Sequence, residues 1–324
     1  MMIENYLHKL SNLRTDSGRS RYPAYTLHRA PHKPFLLLSI MDLIAQGSIT
    51  ENFIEPSFEL VETFNGYWNS IMPLGAKTSM AYPYPRLKTD GFWNLSPNPG
   101  YENQININFS SMKRLREVCA GAKMDDELFQ LMCNPETREQ LRAILFETYF
   151  APKIHPTLLA QGQINYEAYQ YSQELLKVAE QTVSFETDKE ESEQKKKVRD
   201  QGFRRAIITL YSHRCALCGI RMLTPEGHTV VEAAHVKPWS ISYDDRPTNG
   251  MSLCKLCHWS FDKGLMSVGN DYEVLVSKRV QVEKNLPGHI LTLSDRNIFT
   301  PEDHKFWPAQ DNLSWHRRNL FRSI

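Results

Sequence analysis

The sequence predicts an α+β protein in two halves, and three observations carry that expectation. Apolar residues recur at helical spacing in the first half, as Phe58, Val61, Phe64 and Trp68, and again as Leu141, Leu145 and Tyr149. Strand and turn signals interrupt the helices: Thr229–His235 is β-rich, and Met80–Tyr101 is crowded with Pro, Gly and aromatic residues. The length of 324 residues suits two domains at roughly 100–200 residues each.

Taken in order, Lys33–Gln46 reads as a buried helix ended by Gly47. Its apolar run, Pro34–Ala45, contains Asp42 and falls short of the ~20 residues that span a bilayer. Phe58–Asn69 continues helically. The prolines of Met80–Tyr101 argue against regular helix, Asp90–Gly91 marks a turn, and Phe92 and Trp93 read as core anchors. Asp125–Met132 and Pro135–Phe150 are two further helices. We set a first domain at 1–160, a connector at 161–197 and a second domain at 198–324. The connector is poor in apolar residues where six acidic residues lie between Glu180 and Glu193, followed by Lys195–Lys197.

In the second half, Gly202–His213 is a short helix with Phe203, Ile207 and Leu210 on one side. Cys215–Gly219 forms a knuckle, Pro238–Gly250 a loop, and Met251–Phe261 has helical length and pattern. The tail carries Phe306, Trp307, Trp315 and Phe321, which suggests that it packs back on a domain.

Composition excludes several classes. A hydrophobic content of 41% and a charged content of 23% rule out a wholly disordered chain or a fibrous rod. The N-terminus, MMIENYLHKLSNLR, has no apolar signal core, which points to the cytoplasm, where thiols stay reduced. With 38 Lys+Arg against 37 Asp+Glu the net charge is +1, which taken alone argues against a general nucleic-acid binder. Distribution reverses that reading. Base collects at Lys195–Arg214, around Arg29–Lys33 and around Arg86–Lys88, whereas acid collects between Glu180 and Glu193.

Four of six cysteines are paired, Cys215 with Cys218 and Cys254 with Cys257. Two Cys-x-x-Cys turns offer four thiolates for tetrahedral zinc and close the coordination sphere, so the ion is expected to be structural. Cys254–His258 also fits the haem c attachment pattern, but that chemistry needs export and a single pair. Cys119 and Cys133 stand alone and read as small buried hydrophobes.

Framed by these pairs are Ala233-Ala234-His235-Val236-Lys237-Pro238, then Asn249-Gly250, then His258 with Phe261, Asp262, Gly264 and Leu265. Over Tyr211–Val268 this resembles the HNH, or ββα-metal, nuclease family. The resemblance implies His235 as general base, Asn249 as the residue that orients it and fixes the loop, and His258 as ligand of a catalytic divalent ion. Mg²⁺ or Mn²⁺ is expected there, with Ni²⁺ or Co²⁺ as further options. Many family members carry Asp or His just before the base, where this chain has Ala234. Glu232, expected to share the strand face of His235, and Asp262, four residues after His258, are weaker candidates for the missing ligand.

Arg29-Ala-Pro-His32-Lys33-Pro34 and Tyr82-Pro83-Tyr84-Pro85-Arg86, with the run to Trp93, resemble the sulfur-binding domain of phosphorothioate-dependent restriction endonucleases. The implied partner is double-stranded, phosphorothioate-modified DNA. Sulfur in place of a phosphate oxygen is larger, softer and poorly hydrated, so its recognition calls for an apolar dimple. Tyr82, Pro83, Tyr84 and Pro85 are expected to form it, flanked by Arg29, His32, Lys33 and Arg86. Two alternatives remain at this point: a reader of methylated or hydroxymethylated bases, using Tyr82, Tyr84, Phe92 and Trp93 as a cage, or a non-enzymatic zinc DNA-binding protein. One HNH site per chain suggests a homodimer or paired binding if both strands are cut.

Overall fold

In the computed structural model the described residues are 2–105, 109–178, 192–224, 226–280 and 290–323. The chain divides into two compact units, Met1–Tyr166 with Pro225–His228, and Glu167–Thr224 with Thr229–Ile324. Among the described residues no helix is long and apolar enough to cross a membrane.

The first unit is built of α1 (Met2–Ser11), α2 (His32–Gln46), α3 (Phe58–Ile71), α4 (Pro83–Arg86), β1 (Trp93–Pro97), α5 (Met112–Val118), β2 (Cys119–Met124), α6 (Asp126–Cys133) and α7 (Pro135–Tyr149). The apolar run in α2 makes it a buried central helix, and Gly47, at φ 79°, closes it in the left-handed region. Asp42 sits in the middle of that run. It is tolerated because Arg142 of α7 pairs with it at 3.0 Å and Tyr67 and Asn165 each donate a hydrogen bond at 2.8 Å. Ser57 caps α3 through Leu60 N–H, and Asn134 caps α7 through the N–H groups of Glu136 and Thr137. β1 and β2 pair antiparallel, Trp93 opposite Met124.

Two expectations fail here. The Tyr-Pro segment does form a short helix, because Pro83 opens α4 at a position where its missing N–H costs nothing. Cys133 is exposed, while Cys119 is buried as expected.

α8 (His155–Val178) continues from the first unit into the second. The part of the expected connector at 161–178 therefore belongs to α8, and 179–191, which hold most of the acid run, lie outside the described residues.

The second unit contains α9 (Glu193–Leu210), β3 (Val231–His235), α10 (Trp239–Ser242), β4 (Gly250–Cys254), α11 (Lys255–Asp262), β5 (Met266–Val268), β6 (Val274–Val276) and α12 (Gln310–Asn319). α9 starts well before Gly202, capped by Ser192. Met251–Cys254 is strand, not helix, and the helix begins only at Lys255. β4 is buried at every position, Ser252 included, and at five residues it is too short for its pattern to separate it from the helix that follows. The tail packs within this unit: Leu313 is fully buried, and Arg322 N–H bonds the carbonyl of Gly264 at 2.9 Å.

Candidate functional site

In the second unit β3 and β4 pair antiparallel and α11 follows directly, giving a ββα arrangement. The register sets Val231 opposite Cys254 and His235 opposite Gly250. The cysteine end and the histidine end of β3 are thus four residues apart, ~13 Å along a strand.

At the cysteine end, Gly219 has φ +74° and donates its N–H to the Cys215 carbonyl at 2.9 Å, closing the knuckle. Cys254 caps α11 and Cys257 lies in its first turn. The four sulfurs all lie within 4.8 Å of one another, and Cys218 and Cys254 are 3.7 Å apart. Tetrahedral coordination with Zn–S of ~2.3 Å places sulfurs ~3.8 Å apart, so the donor set fits such an ion. Among the described residues this is the one group of three or more His, Cys, Asp or Glu whose donor atoms converge in this way.

At the other end, the His235 ring stacks on Phe203 of α9 at 4.0 Å, nearly parallel. His235 Nε2 lies 2.6 Å from Asp245 Oδ1. Asn249 is fully buried and does not bond the His235 ring. Its Oδ1 accepts from Lys237 N–H at 2.9 Å, and its Nδ2 donates to the carbonyls of Lys237 and Asp244 at 3.0 and 2.8 Å. It clips the two ends of the 237–249 loop.

His258 stands between two carboxylates. Glu232 Oε2 lies 3.1 Å from its Nδ1, and Asp262 Oδ2 lies 3.6 Å from its Nε2. Glu232 is three residues before His235, an odd step, so strand alternation does not put the two on one face. Its carboxylate turns to His258 instead. The imidazole and carboxylate donors are of the kind that hold a divalent ion together with phosphate oxygens and water. The two carboxylates face different ring nitrogens, so one of them can share an ion with His258.

The basic stretch of α9 behaves differently from its sequence. Arg199 is buried, with its guanidinium 3.7 Å from the centre of the Trp239 ring. Arg204 donates to the Val231 carbonyl at 3.3 Å. Arg205 lies over Tyr169, and burial pulls its pKa down to about 10. Lys195, Lys196 and Lys197 remain exposed. Half of the apparent charge patch therefore serves packing.

In the first unit a cavity of about 480 Å³ is lined by Arg14, Thr15, Asp16, Tyr22, Ala30, His32, Lys33, Tyr82, Pro83 and Arg86. Five of the eight residues expected around a sulfur atom line it: His32, Lys33, Tyr82, Pro83 and Arg86. Three do not. Tyr84 is fully buried, with its hydroxyl on the Ile54 carbonyl and its ring edge-on to Trp93. Pro85 is buried beside it, and Arg29 lies over the Tyr149 ring. In a helical turn successive side chains diverge by about 100°, so one run of Tyr-Pro-Tyr-Pro cannot face a single cavity.

The flanking charges are also fewer than expected. Lys33 forms a buried ion pair with Asp90 at 2.6 Å, and burial lowers its pKa while Asp90 raises it. His32 packs against Trp68, and burial pushes its pKa down to about 4, with Arg86 adding to the effect. Arg86 lies over the Tyr82 ring at 5.7 Å. Arg14, Asp16 and Tyr22 were missed because they precede the motif in an unpatterned stretch, which backbone bonds from Ala30 N–H to the Asp16 carbonyl and from Gly18 N–H to the His28 carbonyl fold back beside the start of α2.

Residues 3–165 match the family described as ScoMcrA-like, DNA sulfur-binding domain, and residues 215–269 match the HNH endonuclease family. Both resemblances drawn from the motifs, and the α+β fold expected with them, are met. A solved structure titled "Modification dependent TagI restriction endonuclease" also matches, at 20% identity and a TM-score of 0.27. The match covers 36% of this chain and 37% of that one, so the chain spans little more than a third of that protein. No curated protein sequence matches the chain.

Proposed function

We propose, from the premise that the chain belongs to the ScoMcrA-like DNA sulfur-binding domain family and carries an HNH endonuclease domain, that it is a modification-dependent restriction endonuclease. The first half finds phosphorothioate in double-stranded DNA, and the second hydrolyses a phosphodiester bond nearby. The observation that carries this reading is the joint presence, in one chain, of the sulfur-binding match and the His235, Asn249 and His258 set.

The cavity suits a softened phosphate. Tyr82, Pro83 and Ala30 offer apolar surface for sulfur, and Arg14 and Arg86 offer N–H donors for the anionic oxygen. An aromatic cage for a flipped base is poorly supported, because Tyr84, Phe92 and Trp93 are all in the core and only Tyr82 reaches the surface.

In the nuclease half, His235 takes a proton from water at Nδ1. The water oxygen bonds phosphorus as the bond from phosphorus to the leaving sugar oxygen breaks, and that oxygen takes a proton from solvent. Asn249 holds the loop beside the base in one conformation. His258, with Glu232 as the second protein donor, would hold a Mg²⁺ or Mn²⁺ ion, which would supply charge stabilisation to the reacting phosphate. Zinc on Cys215, Cys218, Cys254 and Cys257 is structural. The enzyme meets its DNA in the cytoplasm, and one centre per chain makes two copies the unit that cuts both strands.

The test uses matched plasmids, with and without phosphorothioate, incubated with the full chain and Mn²⁺. Cleavage is expected only of the modified plasmid. Equal cutting of both, or cutting of the unmodified one alone, overturns the sulfur reading. His235→Ala is expected to bind modified DNA normally and to lose cleavage, and near-normal cleavage excludes His235 as the base.

A further inference from the structure

We propose that Asp245 is the positioning residue of the general base, completing a His235–Asp245 dyad. This rests on the reading of His235 as base and goes beyond it. The expected partner of the base was Asn249, yet Asn249 spends its hydrogen bonds on the loop backbone. The group that reaches the imidazole is a carboxylate. Asp245 Oδ1 lies 2.6 Å from His235 Nε2, and its side chain is 3% exposed against 21% for the histidine.

A carboxylate can only accept, so Nε2 must carry the proton. That fixes the tautomer and leaves the Nδ1 lone pair, the one that accepts a proton from water, unprotonated and without a hydrogen bond from any described residue. The carboxylate also stabilises the imidazolium that forms when the proton arrives, as the aspartate of a hydrolase triad does. Stacking on Phe203 sets the ring plane, and the bond to Asp245 sets the rotation within it.

Asp245 is itself held from behind. Tyr171 of α8 donates its hydroxyl to Oδ2 at 2.8 Å, and Arg199 of α9 places a guanidinium nitrogen 3.8 Å from the same oxygen. The Trp239 ring lies under that guanidinium. The buried Arg199 and the loop clipped by Asn249 thus acquire a common purpose. They present one carboxylate, in one orientation, to one ring nitrogen.

The test compares Asp245→Asn, Tyr171→Phe and His235→Ala in the full chain. Asp245→Asn is expected to lower the single-turnover cleavage rate on the order of 10²-fold, within the range that general-base catalysis supplies. Its affinity for modified DNA and its zinc content are expected to stay the same. The ring-nitrogen ¹⁵N shifts of His235 are expected to report a single Nε2–H tautomer in the parent and a mixture in Asp245→Asn. In the His235→Ala background the Asp245→Asn change is expected to have no further effect, because it acts only through the ring. Tyr171→Phe, which keeps the carboxylate but loosens it, is expected to show a smaller rate loss of the same kind, and it carries the test if Asp245→Asn fails to fold.

A near-normal rate in Asp245→Asn, an unchanged tautomer, or additive losses in the double variant overturns the dyad. If His235→Ala cleaves normally, the base reading falls first. If His235→Ala is inactive while Asp245→Asn is not, only the dyad falls.

Discussion

His32 stands at the wall of the first unit's cavity with its ring 4.7 Å from that of Trp68. Burial holds its pKa down at about 4, so near pH 7 it is a neutral ring and offers the cavity shape and one hydrogen-bond donor, not charge. Arg14 and Arg86 carry the positive charge there. The stability consequence has a definite sign. The unfolded imidazole takes its proton near ~6.5, whereas the folded one resists until about 4. Between those values the unfolded chain binds more protons, so the contribution is complete above ~6.5 and is lost as pH falls towards 4. We expect the first unit to lose stability from pH 7 to pH 5, and His32→Gln to lose less over that range in denaturant titrations. Equal acid sensitivity of the two proteins would remove the claim. At this scale the sequence showed which residues gather, since Arg29–Lys33 and Tyr82–Arg86 flank one region. It could not show that Tyr84 and Pro85 turn inward, nor that Asp90 neutralises Lys33, because both depend on a helical turn that the prolines concealed.

Elements place these residues, and the packing of α8 on α9 places Asp245. Gly202 of α9 lies where a Cβ would come 2.8 Å from the Ala168 carbonyl oxygen and 2.8 Å from Tyr171 Cδ1. The first neighbour is backbone and cannot yield as a side-chain tip does. Gly202→Ala gains up to ~1 kcal/mol in helix propensity but overpacks the crossing at a cost of ~1–3 kcal/mol. We expect a net loss of stability in the second unit, read from its unfolding midpoint. A lower cleavage rate should accompany it, because Tyr171 is displaced from Asp245. A gain in stability with unchanged cleavage would show that the two helices separate freely. The helices themselves were legible where apolar spacing is strong, as in α3 and α7, or where a long apolar run is closed by glycine, as in α2. β4 was not, because a five-residue strand buried at every position and running straight into Lys255 is too short to be told from the start of α11.

Over the whole molecule the net charge of +1 carried little information, and the position of each charge carried more. Even that reading needed correction, since Arg199, Arg204 and Arg205 are spent on packing and the lysines of 195–197 stay in solvent. The paired cysteines were legible because a metal demands fixed ligand spacing whatever the surrounding fold. They are also part of the second core: Cys215, Cys254 and Cys257 are buried in the same cluster as Phe203, Val231, Leu253 and Phe261. The first core, from Tyr6 to Leu158, contains none of the four. Structural zinc binding in small domains is worth ~10–16 kcal/mol near neutral pH, comparable to the whole stability of a domain. Stripping the metal with a chelator is therefore expected to abolish the unfolding transition of the second unit and to leave that of the first in place. The stripped protein should still bind phosphorothioate DNA and should not cleave it when Mn²⁺ is restored alone. Calorimetry with metal analysis, followed by binding and cleavage on the same sample, checks each part. Loss of both transitions would mean that the first unit depends on the metal as well. Survival of both would mean that the four thiols hold the second core without an ion, and the structural role of zinc would be wrong.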